Sequence, residues 1–253
     1  MRLAGIWRYP VKSFQGEPLA TAQLDATGVV GDRRWAVADR TTGRVLSAKR
    51  DGRLLLATAR TADPVTLDLP GEPSIAGPGP EADRALTAWL GRTVQLIEAD
   101  EHVPTFERQA DDTDDRSPTA LWEGRPGRFV DSSPIHLLTT GSLIAAAAAR
   151  PDLDWSVQRF RPNLLVDCGT ANRVEDHWVG RRVAVGSAEL LISRPCRRCV
   201  MTTRPQPGGI AHQPDIFRHL AATADQALGV RAEVVQPGHI SLGDPVRLLP
   251  DRF

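Results

Sequence analysis

The stretch "PCRRCVMTT", residues 195–203, sets Cys196 and Cys199 three positions apart in a chain with one other cysteine, Cys168. Four chemistries fit two thiols at that spacing. A structural zinc site needs four ligands, from two such knuckles or from cysteines with closely spaced histidines. Here Cys168 stands alone, and no two histidines have the spacing of a zinc-binding pair. A redox dithiol belongs at a strand-to-helix junction of a βαβ unit. This pair follows the strand-like "AELLIS" and leads into the β-branched "VMTT". There remain an inert packed pair and a thiolate held for chemistry. Arg194, Arg197 and Arg198 crowd the motif. Neighbouring cations favour the thiolate, the form that binds soft metals, and can also neutralise an anionic ligand. The context favours chemistry over inert packing.

The elements that must hold this motif read as mostly β. The 253 residues allow one large or two modest domains. In the first part, "RLAGIWRYPV", "LATAQLDA", "RRWAVADR", "GRVLSA" and "PVTLDLP" are short runs separated by turn residues. Their spacing favours an antiparallel sheet or barrel. Glu81, Ala82, Ala85, Leu86, Trp89 and Leu90 share one helical face, and Gly91 can end that helix. Residues 107–128 are acidic, then rich in Pro and Gly, and read as a long surface loop. Beyond it, Thr140 or Ser142 is expected to cap a helix ending near Arg150. Strand-like runs return at "NLLVDC", "RRVAVG", "AELLIS", "GIAH", "AEVVQPGHI" and "PVRLL", with another helix in "PDIFRHLAATADQAL". The fold class is therefore β-rich α+β. The division expected is 1–98 and 99–253, with 99–128 as the loop or linker.

Composition narrows the function. Formal net charge is zero, so there is no global footprint for nucleic acid. Lys12 and Lys49 are the only lysines, and arginine supplies the other basic charges. An odd cysteine count argues against a disulfide framework and for a reducing compartment. No apolar run approaches the roughly 20 residues that span a membrane. A cytoplasmic protein with no membrane partner is the expectation.

Six stretches occur in a telling order: "YPVKSFQG" (9–16), "GVVGDRRWAV" (28–37), "RFRPNLLV" (159–166), "EDHWVGRRVAVG" (175–186), "PCRRCVMTT" and "GHISLGDPVRLL" (238–249). Together they resemble the MOSC family, in the branch with an N-terminal β-barrel domain that includes the mitochondrial amidoxime-reducing component and its bacterial relatives. The resemblance covers nearly the whole chain. It implies a MOSC β-barrel packed on a smaller N-terminal β-barrel-like domain. It also implies a molybdenum cofactor, the metal held by a pterin dithiolene and one protein cysteine. In the family that cysteine precedes the "xxTT" segment, which maps to Cys199 as molybdenum ligand, with Cys196 as a structural neighbour. The family's cofactor contacts carry over to Lys12, Ser13, Arg33, Ser132, Ser133, Arg161 and Asn163, with Arg197 and Arg198 flanking the ligand. Asp32 is expected to orient a nearby arginine, and Trp35 and Trp178 to lie in the core. Many relatives have an aromatic "FG-x-Y" segment where this chain has Leu228-Gly229-Val230-Arg231, and Arg231 is a candidate replacement for the tyrosine.

The function implied is an oxidoreductase that reduces N-hydroxylated small molecules. Electrons would come from a separate flavin or iron–sulfur protein. No strand-linked G-x-G-x-x-G is visible, and the cysteines are too few to ligate an all-cysteine cluster once Cys199 holds molybdenum. Some bacterial relatives continue into a ferredoxin domain, where this chain stops at "LLPDRF". The alternative is a cofactor or sulfur carrier using Cys199, as MOSC domains occur at the end of molybdenum-cofactor sulfurases. A pyridoxal phosphate role is not expected, because its Schiff base would have to use Lys12 or Lys49.

Overall fold

In the computed structural model, which describes residues 1–111 and 117–250, the short alternating runs become strands. The first are β1 (Arg2–Arg8), β2 (Glu17–Pro18), β3 (Thr21–Asp25), β4 (Gly28–Val29), β5 (Trp35–Asp39), β6 (Thr58–Arg60), β7 (Val65–Asp68) and β8 (Ile75–Gly77). Helix α1 (Pro80–Leu90) follows, then β9 (Val94–Glu98), β10 (Thr105–Gln109) and β11 (Thr119–Glu123). Pro80 opens α1, and Gly91, in the left-handed region at φ 60°, closes it. Its buried face is Ala82, Leu86 and Leu90, as the periodicity predicts.

The second half contains β12 (Ile135–Thr139), α2 (Thr140–Ala149), α3 (Val157–Phe160), β13 (Leu164–Asp167), β14 (Arg182–Val185) and β15 (Ala188–Arg197). After these come α4 (Pro214–Thr223), β16 (Ala227–Gln236), β17 (Gly238–Ser241) and β18 (Val246–Leu248). The fold is mainly strand with a few helices. An eight-stranded sheet runs in the order β18-β14-β15-β16-β12-β13-β1-β2, antiparallel except for the β12–β13 pair.

The sheet does not respect the division at residue 98. Strand β1 pairs with β13, and β3 pairs with β17. Leu3, Ile6, Leu24 and Val29 therefore pack in the larger core with Ile135, Leu190, Val230 and Ile240. Truncating a buried leucine or isoleucine in such a core costs about 2–5 kcal/mol. The smaller core gathers Val11, Phe14, Leu54, Leu67, Leu86 and Val94 around the sheets β5–β9 and β6–β7–β8. Trp178 is buried in the larger core, and half-buried Trp35 packs on the smaller one.

Local expectations differ from the structure at several places. The 107–128 stretch contains strand: β10 and β11 pair as an antiparallel hairpin, Phe106 opposite Trp122. Polar composition hid it, because one face of the hairpin looks onto a cavity rather than a core. Its acidic residues 112–116 lie outside the described residues. The cap of α2 is Thr139, whose hydroxyl accepts from the Ser142 amide. Thr140 and Ser142 point their hydroxyls at Asp167 and Glu175 instead. Helix α4 stops at Thr223 because Asp225 and Gln226 turn the backbone to positive φ, and "QAL" starts into strand β16. "GRVLSA" and "GIAH" form only isolated bridges, at Val45 and Ile210. Among the described residues no helix is long and apolar enough to cross a membrane.

Candidate active site

A cavity of about 500 Å³ collects residues from both halves of the chain, from Lys12 to Arg231. Turns deliver several of the expected ones. Lys12 and Ser13 lie between β1 and β2, and Arg33 in the turn before β5. Arg161 ends α3, and Cys199 lies between β15 and a short 3-10 turn, Val200–Thr203. Among the described residues, the non-glycine positions with positive φ are Ser13, Arg33, Arg161, Asp225 and Gln226. Four of these line the cavity, and Asp225 is an ion-pair partner of Arg197, which lines it too. Such backbone strain persists only where surrounding contacts over-determine it, and it gathers at functional sites.

Of the expected site residues, Lys12, Ser13, Arg33, Ser132, Ser133, Arg161, Arg197, Arg198 and Cys199 all line this cavity. Asn163 does not. It is buried behind the wall, its amide donating to the Trp7 carbonyl and its oxygen accepting from the His136 amide at 3.2 Å. That oxygen also lies 3.5 Å from Arg33 Nη1, so Asn163 braces the wall from behind.

Two guanidinium groups share one aromatic ring. Arg33 lies 4.8 Å and Arg161 4.3 Å from the centroid of Tyr9. The Tyr9 hydroxyl donates to the Pro162 carbonyl at 2.9 Å, and burial pushes its pKa up to about 12, so it stays protonated. Arg33 is ion-paired with buried Asp32, which also accepts from the Tyr9 amide at 2.8 Å. Asp32 thus orients an arginine, as expected. Arg161 has no such partner. Burial lowers its pKa to about 10, and its Nη1 is buried with no hydrogen-bond partner among the described residues. A buried guanidinium N–H left open toward a cavity suits an oxyanion, and phosphate is a strong one.

Lys12 already has partners on the wall. Its ammonium is ion-paired with Asp131, donates to the Phe129 carbonyl at 3.3 Å and sits 4.2 Å from the Phe106 centroid. Burial lowers its pKa, and Asp131 opposes that. The Asp131 carboxyl would rise on burial, but Lys12 and Lys49 hold it well below the usual range. Ser133 Oγ lies 3.4 Å from Arg194 Nη2.

The two cysteines take different places. Cys199 is partly exposed on the cavity wall. Cys196 is fully buried behind it, with Arg198 Nη1 donating to its sulfur at 2.8 Å. Burial would raise the Cys196 thiol, but Arg198, Arg231 and His136 outweigh it and hold it well below the ordinary value. Arg198 Nη2 also donates to the Phe160 carbonyl at 2.7 Å, which fixes the guanidinium between strand and helix.

The sequence reading missed Asp131, Lys49, His136, Arg108 and Trp122, all on the cavity wall. Asp131 sits one residue before the "SS" turn and could have been found there as the nearest acid to pair with a lysine. His136, Arg108 and Trp122 reach the cavity only through strand pairing, which carries no local signal.

The comparisons with known proteins agree with this layout. A family model described as the MOSC N-terminal beta barrel domain matches residues 1–107, and the MOSC domain model matches residues 125–247. Mouse mitochondrial amidoxime-reducing component 1 is 26% identical over 98% of this chain and 82% of its own length. The molybdenum cofactor sulfurase of Anopheles gambiae is 26% identical over 82% of this chain but only 31% of its own length. The crystal structure of the YUAD protein from Bacillus subtilis superposes with a TM-score of 0.51 at 12% identity, covering 97% of this chain and 93% of that one.

Proposed function

The chain belongs to the MOSC family, in the branch with the N-terminal MOSC β-barrel domain, and from that premise we propose that it is a molybdenum-cofactor-dependent oxidoreductase. Its substrates are N-hydroxylated small molecules, and its electrons come from a separate flavin or iron–sulfur protein. The observation that carries this reading is one cavity holding both the Cys199 thiol and the Arg33–Arg161 pair stacked on Tyr9.

The residues fit the cofactor. Arg161, with its Nη1 unpartnered, and Arg33 would hold the pterin phosphate, and Cys199 would be the protein ligand of molybdenum. Ser13 and Ser132 add hydroxyls on the same wall. When bound, the cofactor supplies the two-electron chemistry. The chain's own work is placement. Asp32 and Asn163 fix Arg33, Tyr9 supports both guanidinium groups, and Asp131 pairs with Lys12 at the wall. Net reduction of an N–OH group takes two electrons and two protons and releases water.

The likeness to a cofactor sulfurase supports a second reading, in which Cys199 carries sulfur or the chain carries cofactor. One experiment separates the two. Protein from a cofactor-producing host is assayed for molybdenum and pterin, then for anaerobic amidoxime reduction with reduced viologen, with NADH alone, and with NADH plus a reductase. Stoichiometric molybdenum with turnover from viologen, and none from NADH alone, is the expected result. A persulfide on Cys199 without turnover would replace it with the carrier reading.

A further inference from the structure

The hairpin β10–β11 lays three side chains along one side of the cavity. Alternation along β10 gives Phe106 and Arg108 the same face, and pairing sets Trp122 directly opposite Phe106. Arg108 lies diagonally across from Trp122, with its guanidinium 4.5 Å from the indole centroid. Trp122 is 45% exposed, whereas Phe106, its partner across the hairpin, is buried. The result is an aromatic shelf with a cation lying on it.

Four of the seven arginines lining the cavity have a side-chain hydrogen-bond or ion-pair partner, and Arg108, Arg161 and Arg231 have none among the described residues. Arg33 has Asp32, Arg159 has Asp154, Arg197 has Asp225 and Arg198 has the Cys196 sulfur. No hydrogen bond or ion pair of the Arg108 side chain is found among the described residues, and its Nε is buried and unpartnered. The adjacent Glu107 cannot answer it. Both Glu107 oxygens accept from Arg92, at 2.7 and 2.8 Å. Asp131, the other carboxylate on the wall among the described residues, is committed to Lys12. A guanidinium held over an aromatic ring by a cation–π contact has N–H groups left for a ligand, and their fork matches a carboxylate. The indole surface left exposed beside it suits a flat ring.

We propose that Arg108, supported by Trp122, is a subsite for the carboxylate of a flat N-hydroxylated substrate. This rests on the reductase reading and adds a substrate class to it: anionic ring-bearing amidoximes over neutral ones. Arg33 and Arg161 remain with the cofactor.

The test compares benzamidoxime with 4-carboxybenzamidoxime on cofactor-loaded protein. Binding is measured by calorimetry without an electron donor, and turnover is measured separately with one. The wild type binds the carboxylate compound about tenfold or more tighter, as one charge-assisted hydrogen-bond pair provides. Arg108→Gln brings the affinity ratio to about one, Arg108→Lys restores part of it, and Trp122→Ala lowers it. Raising the salt concentration shrinks the ratio in the wild type. Equal affinities in the wild type, an unchanged ratio in Arg108→Gln, or no binding of either compound overturns the subsite. Binding with the expected ratio but without turnover leaves the subsite standing and defeats the reductase reading instead.

Discussion

Arg198 Nη1 lies 2.8 Å from the sulfur of Cys196, and the neighbouring Cys199 has no such contact among the described residues. Two cysteines three apart therefore have opposite duties. Cys196→Ser replaces the buried sulfur that accepts from Arg198 with a smaller hydroxyl and should cost about 1–3 kcal/mol of stability. Cys199→Ser, on the wall, should change stability by about 0.5 kcal/mol or less and abolish bound molybdenum. Urea denaturation of the metal-free proteins and metal analysis of the loaded ones check both halves. Equal destabilisation by the two serines would refute the asymmetry.

Arg161 should show a conflict between stability and binding. Arg161→Met removes a buried cation with an unpartnered N–H but also loses its contact with Tyr9. The metal-free variant should be as stable as wild type, or about 1 kcal/mol more so, as buried charges replaced by apolar groups often are. Cofactor retention should fall by roughly ten- to a hundredfold. Thermal melts with and without cofactor, and occupancy after gel filtration, report each effect. A clearly less stable apo variant with full occupancy would contradict the role given to Arg161.

Gly229 lies in the wall strand β16 with its backbone in the left-handed region, at φ 76°. A Cβ there would lie 2.6 Å from the Leu137 carbonyl and 2.7 Å from His136 Nε2. Gly229→Ala should cost about 1–3 kcal/mol and disturb the His136–Arg198–Cys196 group with it. Denaturation midpoint is the readout, and a neutral alanine would show the backbone to be otherwise.

Much of this was legible because the chemistry-bearing residues sit in turns with local signatures: Lys12 and Ser13 in "YPVKS", Arg33 in "GDRRW", Arg161 in "RFRPN", Cys199 in "PCRRCVMTT". The strands also showed, since half-buried strands alternate. What stayed hidden depends on register. That Asn163 braces the wall, that Asp131 neutralises Lys12, and that Trp122 faces the cavity all follow from pairings between distant residues. The hairpin was read as loop because charged residues interrupt both its strands, Glu107 and Arg108 in β10 and Glu123 in β11.

The hairpin is anchored to the smaller core by one arginine. Arg92 donates to Asp39 at 2.6 Å and to both oxygens of Glu107. Hydrogen bonds from Arg92 and the Thr42 amide lower the Asp39 pKa to about 2. A carboxyl depressed in the folded state stabilises fully above its unfolded value, about 3.9, and loses that contribution as pH falls through its folded value. Arg92→Met should cost about 1–3 kcal/mol near neutral pH, since Arg92 is partly solvated. Its acid unfolding should begin at higher pH than in wild type. An unchanged stability–pH curve between pH 2 and 5, roughly the window of that titration, would refute the assignment.

The pairing of β1 with β13, Leu3 beside Val166, has a consequence for synthesis on the ribosome. The first strand made meets β2 at once on one edge but waits for β13 on the other. Until Asp167 has emerged, that second edge of β1, with Leu3 and Ile6, is unpaired, although most of the smaller core is already complete in the nascent chain. The larger barrel therefore closes late, around a strand that has waited through the making of the other domain. During that wait an apolar edge is open to chaperones and to neighbouring chains.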